Sequence, residues 1–132
     1  MDRATRDFVR HRAGLCCEYC QLPESLSPLA RLQIEHIRPL KHGGTDDIEN
    51  LALACIDCNL RKGPNLSGID PDTDAIEPLF HPRLQSWDEH FRWEGARLVG
   101  VSGSGRATVA VMEFNTPDRV QVRLAMVRSL RD

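Results

Sequence analysis

Two cysteine pairs of one form, Cys17-Glu-Tyr-Cys20 and Cys55-Ile-Asp-Cys58, carry the strongest chemical signal in the chain. A two-residue spacer lets one turn present both thiolates to the same ion, and four thiolates complete the tetrahedral shell of zinc. Such a shell is closed and leaves no position for a catalytic water. The spacing therefore points to a structural zinc held by Cys17, Cys20, Cys55 and Cys58, against the alternative of two unrelated pairs of buried thiols. Cys16 is left over and suits a packed thiol. Between the pairs runs IEHIRPLKHGGTDDIEN, residues 34–50, which sets Glu35 beside His36, continues through Pro39 and Gly43-Gly44, and ends on Asn50. Taken singly, His36 is better explained as a partly buried structural histidine.

Positioning these groups takes a particular run of elements. Residues 3–13 suit a short helix leading into the first knuckle, and QLPESLSPLARL, with two prolines, suits a loop with a helical turn around Ala30. Gln33 to Ile37 forms a short strand stopped by Pro39, and His42-Gly43-Gly44-Thr45 makes a loop. Leu51 to Ala54 is a second strand, and Asp57 to Lys62 a helix ended by Gly63-Pro64. The acidic stretch NLSGIDPDTDAIEP is expected to meander without regular structure. Phe91–Trp93 and Arg97–Val101, joined through Glu94-Gly95, predict a hairpin. Thr116-Pro117 is a cap and first-turn pair that predicts a helix over 117–130, and residues 105–114 also lean helical. Trp87, Phe91 and Trp93 are expected in the core, in preference to a base-stacking platform.

At 132 residues, with 41% hydrophobic and 27% charged residues, the composition is that of one folded domain. Its expected parts are a core over 15–64 and an extension over 77–132. The first residues, MDRATRDFVRHRAG, are charged throughout, and no apolar run approaches the ~20 residues that span a bilayer, so a cytoplasmic protein without membrane contact is expected. A formal net charge of −2 argues weakly against a nucleic-acid partner, and any phosphate binding would need a local basic patch.

In order along the chain, CEYC, EHI.P...GG.....N and C..CN..KG resemble the HNH endonuclease family and its ββα-metal (His-Me finger) active site, over Cys17 to Gly63. The segment LFHPRLQSWDEHFRWEGARLVGVSGSGRATV is similar to the extension that follows this core in many bacterial members. The resemblance implies an α+β fold, a zinc-stapled ββα-metal core with a β-hairpin and a C-terminal helical extension. It also implies metal-dependent hydrolysis of DNA phosphodiester bonds by a single-metal mechanism. His36 is then the general base that takes a proton from water, and Asn50 orients the His-bearing loop through backbone hydrogen bonds. Glu35 and Asn59 become the ligands of the catalytic ion. Asn59 stands where the family's name promises His, and a carboxylate with an amide oxygen suits Mg²⁺ or Mn²⁺. Because neighbouring strand residues point to opposite faces, Glu35 and His36 can share one site only if the backbone turns between them.

Arg61 and Lys62 are candidate phosphate contacts on the metal-side helix. Arg38, Lys41 and His42 border the site, but Asp46, Asp47 and Glu49 follow at once, so the local charge is mixed. Arg106, Arg119, Arg123, Arg128 and Arg131 are expected as solvated helix charges, or as an extended DNA-facing surface if several share a face. The expected partner is DNA; the signature does not separate it from RNA. A zinc-stabilised nucleic-acid or protein binding module with lost catalysis, or a purely structural interaction domain, remain as rival readings.

Overall fold

A computed structural model describes residues 1–27 and 30–131, of which 129–131 by backbone alone. Helix α1 (Arg3–Arg12) starts on Asp2, whose carboxylate accepts from the Thr5 amide at 2.8 Å, a standard N-cap. Val9 is its buried residue, and Arg10 ties the helix to the following loop through Glu24, at 2.7 and 2.9 Å. The first knuckle then runs along the edge of the central hairpin. Glu18 exchanges backbone and side-chain bonds with Leu53, each 2.8 Å long.

The hairpin pairs β1 (Gln33–His36) antiparallel with β2 (Leu51–Ala54), in the register Gln33 to Ala54 and His36 to Leu51. Every residue of β2 is buried, which its apolar LALA sequence permits. Helix α2 (Ile56–Lys62) follows directly, with the Cys55 sulfur accepting from the Cys58 amide as its N-cap. Strand, loop, strand and helix thus come in the expected order.

The acidic stretch after α2 departs from expectation. It forms a second hairpin, β3 (Ser67–Ile69) with β4 (Ile76–Pro78), packed on helix α3 (Gly103–Val111). Its strands are three residues long and mostly exposed, so no period-2 burial pattern marks them. Gly68 lets the backbone pass against Val111, where a Cβ would collide. The hinge of this hairpin is held by Asp70, which is buried and takes two bonds of 2.9 Å from Arg106.

The third hairpin, β5 (Phe91–Glu94) with β6 (Arg97–Gly100), lies where the sequence placed it, and α4 (Pro117–Arg131) closes the chain. Phe80, Phe91 and Phe114 are buried with Tyr19 and Val9 in one hydrophobic cluster, against which Trp87 and Trp93 pack. The rings meet edge-on or tilted, at centroid distances of 5.1 to 6.5 Å. The aromatic residues of the extension are therefore core, packed under the first knuckle. Among the described residues, no helix is long and apolar enough to cross a membrane.

Candidate active site and zinc site

The sulfurs of Cys17, Cys20, Cys55 and Cys58 converge, all buried and within 4.8 Å of one another. A tetrahedral zinc with bonds of about 2.3 Å spaces its sulfurs by about 3.8 Å, and Cys20 and Cys55 already stand 3.7 Å apart. Backbone amides of Cys20 and Cys58 point at Cys17 and Cys55, at 3.5 and 3.4 Å, the turn geometry expected of two knuckles. The four residues fit zinc. Burial pushes the Cys17 and Cys58 thiols well up, while hydrogen bonding among the sulfurs, with Cys17 first, brings Cys20 down. A dication resolves this competition by displacing the shared protons.

At the other end of the hairpin from Cys55 lies the loop that joins β1 to β2. Asn50 spans it: its Oδ1 accepts from the Arg38 amide at 2.8 Å, and its Nδ2 donates to the carbonyls of Arg38 and Thr45 at 3.1 and 2.8 Å. The turn this amide closes needs glycine twice. Gly43 sits at φ +81°, and a Cβ on Gly44 would run into the Arg38 carbonyl. The result carries His36 to the protein surface, where its Nε2 lies 2.7 Å from Asp46 Oδ1. The same bond holds the exposed Asp46 carboxyl below its ordinary range.

A hairpin with a loop fastened by Asn50, a helix directly after it, and two knuckles gathered on one metal position are now in place. Residues 17–65 match the family model described as HNH endonuclease. That similarity marks them as the HNH segment of the chain. No curated protein and no solved structure matches the chain. The HNH match joins a nuclease family to a metal-binding cysteine cluster, and the mixed α+β architecture around it agrees with that family's fold.

Within the HNH segment, Glu35 and His36 part company. The ladder stays regular through His36, which pairs with Leu51 while Glu35 pairs with Ala52, so the expected turn between them is absent and their side chains leave opposite faces. Glu35 is 5% exposed. Its carboxylate accepts from the Tyr19 hydroxyl and lies 3.3 Å from the Lys62 ammonium. Burial raises the Glu35 carboxyl, and the Lys62 charge pulls it back. Asn59 sits on the α2 side as well, donating to Gln33 Oε1 at 2.7 Å. Glu35 and Asn59 offer oxygens of the right hardness for Mg²⁺ or Mn²⁺, and Asn59 engages only its Nδ2, yet the Glu35 carboxylate is taken by the Tyr19 hydroxyl and an ammonium already stands against it. In this arrangement the pair does not fit a divalent ion.

Lys62 corrects a second expectation. It is 2% exposed, so it does not reach solvent as a phosphate contact. It turns inward and donates to the carbonyls of Ile37 and His36, at 2.8 and 3.3 Å, just where β1 ends. Arg61 is half-exposed but paired with Glu113. Of the C-terminal arginines, Arg106 is bound to Asp70, and Arg119 and Arg123 are buried, contrary to their expected place as solvated charges. Arg128 is exposed, and the Arg131 side chain lies outside the described residues.

Three partners escaped the sequence. Asp46 was visible only as part of an acidic run, although its place inside the loop closed by Asn50 is the signal that could have marked it. Tyr19 lies within the first knuckle, and nothing in its spacing points at Glu35. Arg119 reaches the cysteines from 61 residues away, which no local pattern encodes.

Proposed function

We propose that the chain is an endonuclease that hydrolyses phosphodiester bonds of DNA, with His36 as the general base. The observation that carries this reading is the half-buried, solvent-reaching imidazole of His36, held beside a glycine turn fastened by Asn50 and hydrogen-bonded to Asp46. A carboxylate acceptor at Nε2 favours the tautomer protonated there, leaving Nδ1 as the basic nitrogen. A water at Nδ1 would give up its proton to the imidazole as its oxygen attacks phosphorus, while the P–O ester bond breaks and the departing oxygen takes a proton from solvent. The Asp46 carboxylate would then stabilise the imidazolium. Asn50 acts by orientation and not by proton transfer. Arg38 and Lys41, exposed on the same loop, are the cations placed to meet phosphates, so binding should be weak, salt-sensitive and indifferent to sequence.

Mg²⁺ or Mn²⁺ is the hard cation that would supply positive charge at phosphorus in this chemistry. Glu35 and Asn59 are its candidate ligands by resemblance, but with the Glu35 carboxylate held by Tyr19 and Lys62 the steps above rest on the chain's own groups. Reduced thiols in a zinc site suit the cytoplasm.

A second reading, a zinc-stapled binding module without catalysis, is favoured by the one feature that opposes the first, the engagement of Glu35 by Tyr19 and Lys62. Supercoiled plasmid, linear duplex and single-stranded RNA incubated with Mg²⁺, Mn²⁺ or chelator separate the two. Nicking that disappears in a folded His36→Ala variant supports the nuclease. Undiminished cutting by that variant refutes His36 as the base, and binding without cutting under every metal condition selects the module.

A further inference from the structure

Arg119 stands outside the residues matched by the HNH family, yet its guanidinium lies against the cysteine cluster. Its Nη2 donates to Cys58 Sγ at 2.9 Å and approaches Cys55 Sγ at 3.6 Å. Its Nη1 donates to the carbonyls of Met112 and Glu113, at 2.6 and 3.2 Å, and the group stacks on Phe114, 5.5 Å from the ring centroid. The residue is 8% exposed. Two other charged groups are close. Asp57 is 4.0 Å away on the solvent side, and Arg123, also buried, turns to the Phe114 carbonyl and the face of Trp93.

Zinc bound by four thiolates keeps a net charge of about −2. Held in a buried site, that charge is costly unless a cation or hydrogen-bond donors face it. The same holds in reverse for Arg119, whose guanidinium cannot shed its proton and would be stranded beside neutral thiols. The need is mutual, and the fork of Arg119 answers both sides of it, with one nitrogen on sulfur and the other anchored on the loop between α3 and α4. We propose that Arg119 completes the zinc site as the counter-charge of the tetrathiolate, so that the extension, through α4, takes part in holding a metal whose ligands all belong to the HNH segment. This inference rests on zinc occupying the four cysteines and is independent of the nuclease reading.

The test uses the full chain loaded to one zinc per molecule, with Arg119→Met and Arg119→Lys beside the native protein. Two quantities are read: the rate of zinc transfer to an excess of chromophoric chelator, and the sulfur-to-cobalt charge-transfer band after Co²⁺ replaces zinc. Loss of an outer partner of a metal site commonly weakens it roughly 10- to 100-fold. Arg119→Met is expected to release zinc faster by about that factor. Its charge-transfer band should move to longer wavelength, because the Cys58 lone pairs are no longer stabilised by an N–H donor. Arg119→Lys, which keeps the charge but not the fork, should fall between. Should Arg119→Met fail to fold, the lysine variant decides alone: faster release with a shifted band supports the inference. An unshifted band in a folded variant overturns it whatever the rate, since Arg119 would then serve only the carbonyls of Met112 and Glu113. Release within twofold of the native rate overturns it as well.

Discussion

Replacing Lys62 with methionine probes the buried centre of the HNH segment most directly. Lys62 and Glu35 are 2% and 4% exposed at their side chains and stand 3.3 Å apart, with the ammonium also serving the carbonyls of His36 and Ile37. Methionine keeps the stem and removes the charge, leaving Glu35 with the Tyr19 hydroxyl alone. Breaking a buried ion pair from one side costs about 3–5 kcal/mol. The carboxyl has an escape, however, because it can take up a proton. Protonating an ordinary glutamate at pH 7 costs about 3.5 kcal/mol, which limits the penalty from above, and at pH 5 it costs only about 1 kcal/mol. The loss in Lys62→Met should therefore be about 3 kcal/mol at pH 7 and shrink toward about 1 kcal/mol at pH 5.

The sign follows from linkage. Without its ammonium, buried Glu35 has a folded pKa above the unfolded one, so the folded variant binds the extra proton. Stability is then retained below the unfolded pKa and lost as pH rises through the folded one. Urea denaturation of the zinc-loaded protein at pH 5, 6 and 7 measures this. Glu35→Gln combined with Lys62→Met is the control, since a neutral amide removes the stranded charge. The double variant should recover about 2 kcal/mol at pH 7 and lose the pH dependence. A single variant within 1 kcal/mol of native at pH 7, or with the same deficit at pH 5 and pH 7, would refute the reasoning and place Glu35 in contact with solvent or another cation.

Asn50→Ala removes three bonds that fasten the His36 loop and should cost roughly 1–3 kcal/mol by urea denaturation. Plasmid nicking should fall at least tenfold; a stable variant with native nicking would show that the loop needs no fastening. The Arg106 guanidinium holds the Asp70 carboxyl well below its usual range. The stability it adds is present above the unfolded pKa of about 3.9 and fades as pH falls from there toward the folded value. Asp70→Asn should accordingly lower Tm at pH 7, by a margin that narrows in scans at pH 3. An equal margin at both would remove the ion pair from the account.

The local sequence reached a long way. CxxC spacing alone announces a tetrathiolate, because two residues are what a turn needs to aim both sulfurs at one point, and the four sulfurs do converge. Pro39, Gly43-Gly44 and the apolar run from Leu51 mark the hairpin and its loop, since backbone limits act over a few residues. The β3–β4 hairpin was invisible for the opposite reason. Its strands are specified by the face of α3 they cover, not by any alternation of their own.

Charged side chains mark the same boundary more sharply. Adjacent strand residues leave opposite faces whatever they are, so Glu35 and His36 were bound to diverge unless the backbone turned, and only the ladder reveals that it does not. Which face is buried depended on where α2 came to rest, and that decision turned Glu35 and Lys62 into an internal pair. Long cationic side chains reach several ångströms from the backbone, and their destination depends on what folds next to them. Lys62 went to strand-end carbonyls and Arg119 to a cysteine sulfur 61 residues away. The ordered pattern of cysteines, histidine and asparagines determined what chemistry the chain has the parts for; tertiary packing decided which of those parts face water and which face each other.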